Sequence, residues 1–539
     1  MPLDALVMGR IATFAGTAGY GWVEAIGIRA GRVAFAGSAV DLETRADPHT
    51  LRIELDPGEV AIPGLTDAHL HYFDAALASE QVDLTSAQTV EEGLARLRLI
   101  DQVLPPGAWL EGAGWDQRRW GRWPTAADLD KAIPGRAVAL WSFDHHAVWA
   151  SAVSLAAAGI DADLPDPPGG IIRRLHDGAP EGVVLENACP LVMGQVPPPS
   201  ETTIRRTISN LGRELLSLGV VAVHDPGNVS PDVQLLAFDS YAAMADAGEL
   251  EIRVHASVRP ESLERAIERG HRSGARLGAA PEGRARVGWL KLFADGTLGA
   301  GTAALLEPRE GATDLGVFRQ GPEELAALAV RAAAAGIATQ IHAIGDGAVR
   351  AALDALAPTA ASVPLMPRLE HVQLVHPADR ARFAALGIAA SVQPVHLRDD
   401  AETARRDWGT RAETWGYTWR TLLDSGAVLA FGTDAPVEPV DPWPGIAVAV
   451  LRADPSWAPG TLPFGPHEAL DLEIALRAAT VGPALTSREP DRGRLVPGCR
   501  ADLIVLPAAP DEPGNEEGPR YASVRPRLVM LDGEVVVER

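Results

Sequence analysis

Two rhythms of apolar and polar positions share the chain, and a long stretch between them follows neither. From Ala5 to Val60 short apolar runs are broken by glycine turns. Ala25-Ile-Gly-Ile-Arg29 and Arg32-Val-Ala-Phe-Ala36 flank Ala30-Gly31, a pattern that predicts a β-hairpin. The far end repeats it: Ala501-Asp-Leu-Ile-Val-Leu506 is followed by Leu528-Val-Met-Leu-Asp-Gly-Glu-Val-Val-Val537, which turns at Asp532-Gly533. Both ends therefore build one small composite β domain, over 1–60 and 488–539. From Gly219 the rhythm changes to strand then helix. Candidate strands are Val220–His224, Ile252–Val258, Val287–Phe293, Ile337–His342, Arg368–Val372, Ile388–Gln393 and Val428–Gly432, separated by Ala- and Leu-rich segments such as Glu323–Ala335 and Ala348–Ala357. With the apolar run that ends at His69 they make eight strand-helix units, which describes an α/β fold of the (β/α)8 barrel type over 61–73 and 201–487.

The stretch from Asp74 to Ser200 is rich in Trp, Pro and Gly, with Gly112-Ala-Gly-Trp-Asp-Gln-Arg-Arg-Trp120 and Trp141-Ser-Phe-Asp-His-His-Ala-Val-Trp149. It interrupts an otherwise regular alternation, so it is expected to be an α+β insertion after the first barrel strand, over 74–200, covering the barrel mouth. Its tryptophans serve either its own small core or a ligand.

Charge narrows the partners. Lys plus Arg total 48 against 71 Asp plus Glu, a net charge of −23 over 539 residues, which repels nucleic-acid phosphates. The two cysteines, Cys189 and Cys499, form no Cys-x-x-Cys spacing and predict neither a disulfide framework nor a thiolate metal site. The N-terminus lacks a basic leader, and no run of about 18 apolar residues occurs, so a cytoplasmic protein that neither enters nor spans a membrane is expected.

Chemistry concentrates where the strands end. His69 and His71, in Ala61-Ile-Pro-Gly-Leu-Thr-Asp-Ala-His-Leu-His-Tyr72, stand at i and i+2. On a strand such residues share a face, and two converging imidazoles suit a borderline metal such as zinc. The fourth strand carries Lys291, the fifth ends in His342, the sixth in His371, and the eighth in Asp434. All lie where a barrel places its active site, and cores disfavour so many unpaired polar groups.

These segments resemble the amidohydrolase superfamily, and within it the amidohydrolase-3 branch of YtcJ-like and N-substituted formamide deformylase-like proteins. The motifs that carry the resemblance are Pro-Gly-Leu-Thr-Asp-Ala-His-Leu-His71, Lys291-Leu-Phe-Ala-Asp-Gly-Thr-Leu-Gly299, His342-Ala-Ile-Gly-Asp346, Arg368-Leu-Glu-His371, Gly432-Thr-Asp-Ala-Pro436 and Pro497-Gly-Cys-Arg-Ala-Asp-Leu503. The resemblance implies one or two divalent metals, zinc first among the choices. His69 and His71 would hold one metal, touched also by Asp434, and His342 and His371 the second. Lys291, N6-carboxylated, would bridge the two; the alternative for that lysine is an ion pair with Asp295 and a single metal. It further implies hydrolysis of a non-peptide C–N bond, an amide or N-formyl group, by metal-activated water whose proton Asp434 accepts and passes on. His146 matches a histidine that the family carries in its insertion and would bind the substrate carbonyl or its oxyanion.

Trp115, Asp116, Asp295, Gln393 and His396 are further candidates for a small-molecule pocket with apolar walls. A local Asp116–Arg pair competes with that reading, and His224 and His255 are expected to be structural. An ester, lactone or carbamate substrate, or deamination, would use the same metals, and a barrel that has lost catalysis and only binds is the reading from another class. Ala343-Ile344-Gly345 after His342, where mononuclear deaminases carry acidic residues, favours amide hydrolysis over deamination. The family often forms homodimers, which leaves oligomeric state open here.

Overall fold

The computed structural model describes residues 3–143, 147–186, 188–227, 235–281, 283–508 and 522–539. Contacts divide the chain into two compact units, Met1–Ala75 with Ile208–Arg539, and Ala76–Thr207.

The first unit holds the barrel. Eight strands, Leu65–Asp67, Val220–Asp225, Arg253–Val258, Ala285–Phe293, Thr339–Ala343, Arg368–His371, Ala389–Val392 and Leu429–Phe431, are hydrogen-bonded in chain order, each parallel to the next. They are nearly all buried, which is why they read as continuous apolar runs rather than alternations. The seam between first and last strands closes just beyond their ends, where Ala68 N–H donates to the Phe431 carbonyl at 2.8 Å and Asp434 N–H to the His69 carbonyl at 2.6 Å. Helices follow the strands: Pro322–Ala334 opens with proline at its first turn, and Asp346–Leu356 turns a largely buried face inward.

Both chain ends form the β-sandwich of the same unit. Val60–Pro63 pairs antiparallel with Leu503–Leu506 and parallel with Ala5–Ala12, so the first and last segments share one sheet around Val7, Ile26, Ile28, Leu503 and Met530. The Trp22–Arg29 and Arg32–Gly37 strands form the hairpin expected across Ala30-Gly31. The sandwich strand runs to Pro63 and the barrel opens at Leu65, so one apolar run serves two sheets. Arg253, on the third barrel strand, reaches Asp502 at 2.8 Å and also pairs with Asp532.

The second unit is α+β. Its six-stranded sheet runs in the order 170–174, 180–186, 147–150, 138–142, 110–115, 82–83, with Val90–Asp101 and Ala126–Ala132 among its helices. Trp115, Trp120 and Trp149 meet in its core, ring centroids 5.8 to 6.5 Å apart. Among the described residues no helix is long and apolar enough to cross a membrane.

Candidate metal centre

The first strand ends at Asp67, so His69 and His71 stand in the turn beyond it rather than on the strand. They converge for another reason: each ring is tied at Nδ1. His69 Nδ1 lies 2.5 Å from Glu370 Oε2, and His71 Nδ1 lies 2.6 Å from the Gly227 carbonyl. A carboxylate held ionised and a carbonyl can only accept, so both Nδ1 atoms carry the proton and both Nε2 atoms keep a lone pair. Each Nε2 then lies 3.4 Å from the same oxygen, Asp434 Oδ1. Asp67 braces the turn from behind, accepting from His69 N–H at 3.0 Å and from the Thr433 hydroxyl at 2.7 Å. The last strand passes so close that a Cβ on Gly432 would stand 2.5 Å from the His69 nitrogen, so only glycine fits there.

Burial would raise the Glu370 carboxyl, but Arg368, whose Nε is 2.7 Å from Oε1, together with His69 holds it at about 2. Burial and the neighbouring Lys291 hold His69 at about 4. Burial also disfavours the charged form of His71, yet Asp434 draws its pKa upward.

The other strand ends close on the same point. Lys291 Nζ lies 3.5 Å from His69 Nε2 in a buried setting that lowers it to about 8. The His371 ring is 5.1 Å from that of His69 and 4.5 Å from that of His342, and its Nδ1, 3.9 Å from Asp434 Oδ2, is buried without a hydrogen-bond partner. A left-handed backbone at His371 (φ +71°) lets consecutive Glu370 and His371 both face the cluster, which a regular strand would forbid. His342 Nε2 donates to the Gly296 carbonyl at 2.9 Å, leaving Nδ1 with the lone pair. His396 Nε2 is 3.5 Å from Asp434 Oδ2, with its ring stacked on His371.

The donor set fits a divalent metal. One nitrogen each of His69 and His371 and one oxygen of Asp434 lie within 4.8 Å of one another, all buried. At 3.4 Å the unprotonated His69 Nε2 faces a carboxylate oxygen, two acceptors that repel unless a cation lies between them.

A family model described as the amidohydrolase family matches residues 57–537. The chain belongs to the amidohydrolase family. It is 31% identical over 526 residues to YtcJ of Bacillus subtilis, named an amidohydrolase, covering 96% of each chain. It is 27% identical to an N-substituted formamide deformylase of Arthrobacter pascens, with 90% of each covered. Among solved structures, an uncharacterized metal-dependent hydrolase from Pyrococcus horikoshii superposes with a TM-score of 0.79 at 27% identity, covering 95% of this chain and 99% of the other. Family and geometry together make this amidohydrolase a metal-dependent hydrolase.

The expected ligands His69, His71, Lys291, His342, His371 and Asp434 thus come together in one buried cluster, with His396 beside it. Asp295 does not behave as a pocket residue: it is fully buried and accepts the backbone N–H groups of Ala304, Ile344 and Gly345 at 2.9, 3.1 and 2.9 Å. Nor does it pair with Lys291; its Oδ1 lies 3.5 Å from His342 Nε2, so it holds the loop that positions that imidazole. Trp115 is also corrected. It has no exposed surface, and its indole N–H donates to the Leu140 carbonyl at 2.8 Å, because the insertion needs it as core. Asp116 caps the Gln117–Trp120 helix and pairs with Arg118 at 3.2 Å, the local pair weighed against a ligand role. Gln393 is buried with its Oε1 unpartnered. His146 lies outside the described residues.

Sequence reasoning missed the residues that orient this amidohydrolase's ligands: Glu370, Asp67 and the Gly227 carbonyl. A signal existed for two. Glu370 sits inside the quoted Arg-Leu-Glu-His motif and Asp67 inside Thr-Asp-Ala-His. Asp225 supports the third, accepting from Gly227 N–H at 2.8 Å and the Tyr241 hydroxyl at 2.6 Å. His224 and His255 are interior residues away from the ligands: His224 Nδ1 accepts from Arg368 Nη1 at 2.9 Å, and the two rings lie 5.0 Å apart.

Proposed function

We propose that the chain hydrolyses a non-peptide C–N bond, an amide or N-formyl group, in a small molecule. His69, His71 and Asp434 would hold a divalent metal, zinc first, and His342 and His371 a second, with Lys291 as a carbamate between them. The single observation that carries this reading is the pair of imidazoles whose Nδ1 atoms are occupied and whose Nε2 atoms both face Asp434 Oδ1 at 3.4 Å. A metal held by that set supplies a Lewis acid for the carbonyl and lowers the pKa of bound water. Asp434 accepts the proton of the attacking water and passes it to the departing nitrogen. It reaches both sides of the cluster, with Oδ1 toward His69 and His71 and Oδ2 toward His371 and His396. His396 steadies the second oxygen.

Two further observations favour amide chemistry. After His342 the chain presents backbone to Asp295 and offers no acidic side chain at Ala343, Ile344 or Gly345. The Arthrobacter relative bears the name of an enzyme that deformylates N-substituted formamides. The test is a matched panel of formanilides, acetanilides, the corresponding aryl esters and an aminopurine, assayed with zinc- and manganese-loaded protein. Faster turnover of anilides than of their esters supports the reading; ester turnover without anilide turnover, or ammonia release from the aminopurine alone, replaces it.

A further inference from the structure

Arg259 follows the third barrel strand directly and is only 9% exposed. Both Nε and Nη1 are buried without a partner. Among the described residues the one carboxylate within salt-bridge distance is Glu261, 3.6 Å from Nε, itself partly solvated and too long for a hydrogen bond. A guanidinium cannot shed its proton, so a buried one lacking partners is costly and marks a place where something else completes it.

Its surroundings place it beside the metal centre. The guanidinium carbon lies 4.5 Å from the centre of the Phe293 ring, and the same ring has Lys291 Nζ at 5.0 Å and Arg319 at 4.9 Å. Phe293 in turn stands 5.6 Å, ring to ring, from His342. On its other flank the Arg259 stem packs against Gly227, whose carbonyl fixes His71, closely enough that a Cβ on that glycine would lie 3.2 Å from Arg259 Cδ. Arg259 therefore sits among the ends of the second, third and fourth strands, one aromatic ring from two expected ligands.

We propose that Arg259 anchors a carboxylate on the substrate, making it the specificity-determining residue for an acidic amide: an N-formyl or N-acyl amine whose amine part bears a carboxylate. Phe293 offers the flat apolar surface between that anchor and the reacting bond. The inference rests on the C–N hydrolase reading of the same site and narrows it to amides that carry one negative charge.

The experiment compares 4-formamidobenzoate with formanilide, and N-formylphenylalanine with N-formylphenethylamine, on metal-loaded wild type, Arg259→Met and Arg259→Lys. Wild type should prefer each acid in kcat/KM by on the order of 100-fold. Arg259→Met should abolish that preference, and Arg259→Lys, which keeps charge without the planar fork, should retain part of it. Equal preference in wild type and Arg259→Met overturns the proposal. Binding of unreactive 4-aminobenzoate, followed by calorimetry, separates the two ideas. Loss of its binding in Arg259→Met with no formamide turnover in wild type leaves the anchor standing and sinks the C–N hydrolase reading. Unchanged binding alongside wild-type formamide turnover does the reverse. Should Arg259→Met fail to fold, the Arg259→Lys ratio decides: a carboxylate preference equal to wild type overturns the proposal.

Discussion

Replacing Glu370 by Gln keeps the shape of the group that orients His69 and removes its charge. The amide oxygen can still accept from His69 Nδ1, now 2.5 Å from the carboxylate, but the imidazole loses the anion that raises its basicity toward a metal. Losses of this kind cost about 10- to 100-fold in metal affinity, and the retained hydrogen bond puts Glu370→Gln near the lower figure. The same change strips Arg368 of its counter-ion 2.7 Å away in a fully buried setting, where breaking a pair costs about 3–5 kcal/mol. Arg368 keeps Gln340, at 3.0 Å from Nε, and the face of Trp289, 4.0 Å away, so the lower end of that range applies. The double variant Arg368→Met with Glu370→Gln separates the two effects, since removing both charges should restore most of the stability without restoring affinity. The assay is chelator competition for zinc beside urea unfolding of the metal-free proteins. Unchanged zinc affinity in Glu370→Gln, or its full recovery in the double variant, would refute the role given to Glu370.

Two other outcomes follow from the geometry. Gly432→Ala drives a methyl to within 2.5 Å of the His69 nitrogen and 2.7 Å of its Cβ, so the purified variant should lose its metal and melt several degrees lower; metal content and a thermal scan check this. His255 is held at about 4 by burial, while the unfolded chain takes up its proton near 6.5. The sign is that of a depressed base: stability is full above about pH 6.5 and falls as pH drops toward 4, by roughly 3 kcal/mol for this group. Urea midpoints at pH 7 and pH 5 should therefore differ less in His255→Asn than in wild type, and an equal difference would count against it.

Much of the barrel is legible because its strands are buried on both faces and its helices are Ala- and Leu-rich, so the two periods stay distinct over hundreds of residues. The hairpin at Ala30-Gly31 and the turn at Asp532-Gly533 are local chemistry and read equally well. The site is legible as a set of residue types at strand ends. What does not show is orientation. That Glu370 faces the same centre as His371 depends on a left-handed backbone at one residue. That Asp295 serves backbone amides rather than Lys291 depends on a loop about fifty positions away, at Ile344-Gly345, folding back onto it. Trp115 misleads for a related reason: aromatic residues in a small domain serve first as its core, as Trp120 and Trp149 do here, and composition cannot separate Trp115 in that role from a pocket wall. Arg259 carries no sequence signal, since an unpartnered guanidinium is a property of its surroundings.

The most direct test is the metal content per chain of protein purified without chelators, measured by elemental analysis on wild type, Asp434→Asn and Lys291→Met. Two equivalents in wild type, about one in Lys291→Met and none to one in Asp434→Asn are predicted by a cluster in which Asp434 is shared and a carboxylated Lys291 bridges. Wild-type protein that holds no metal, and takes up none when zinc or manganese is supplied, would contradict it.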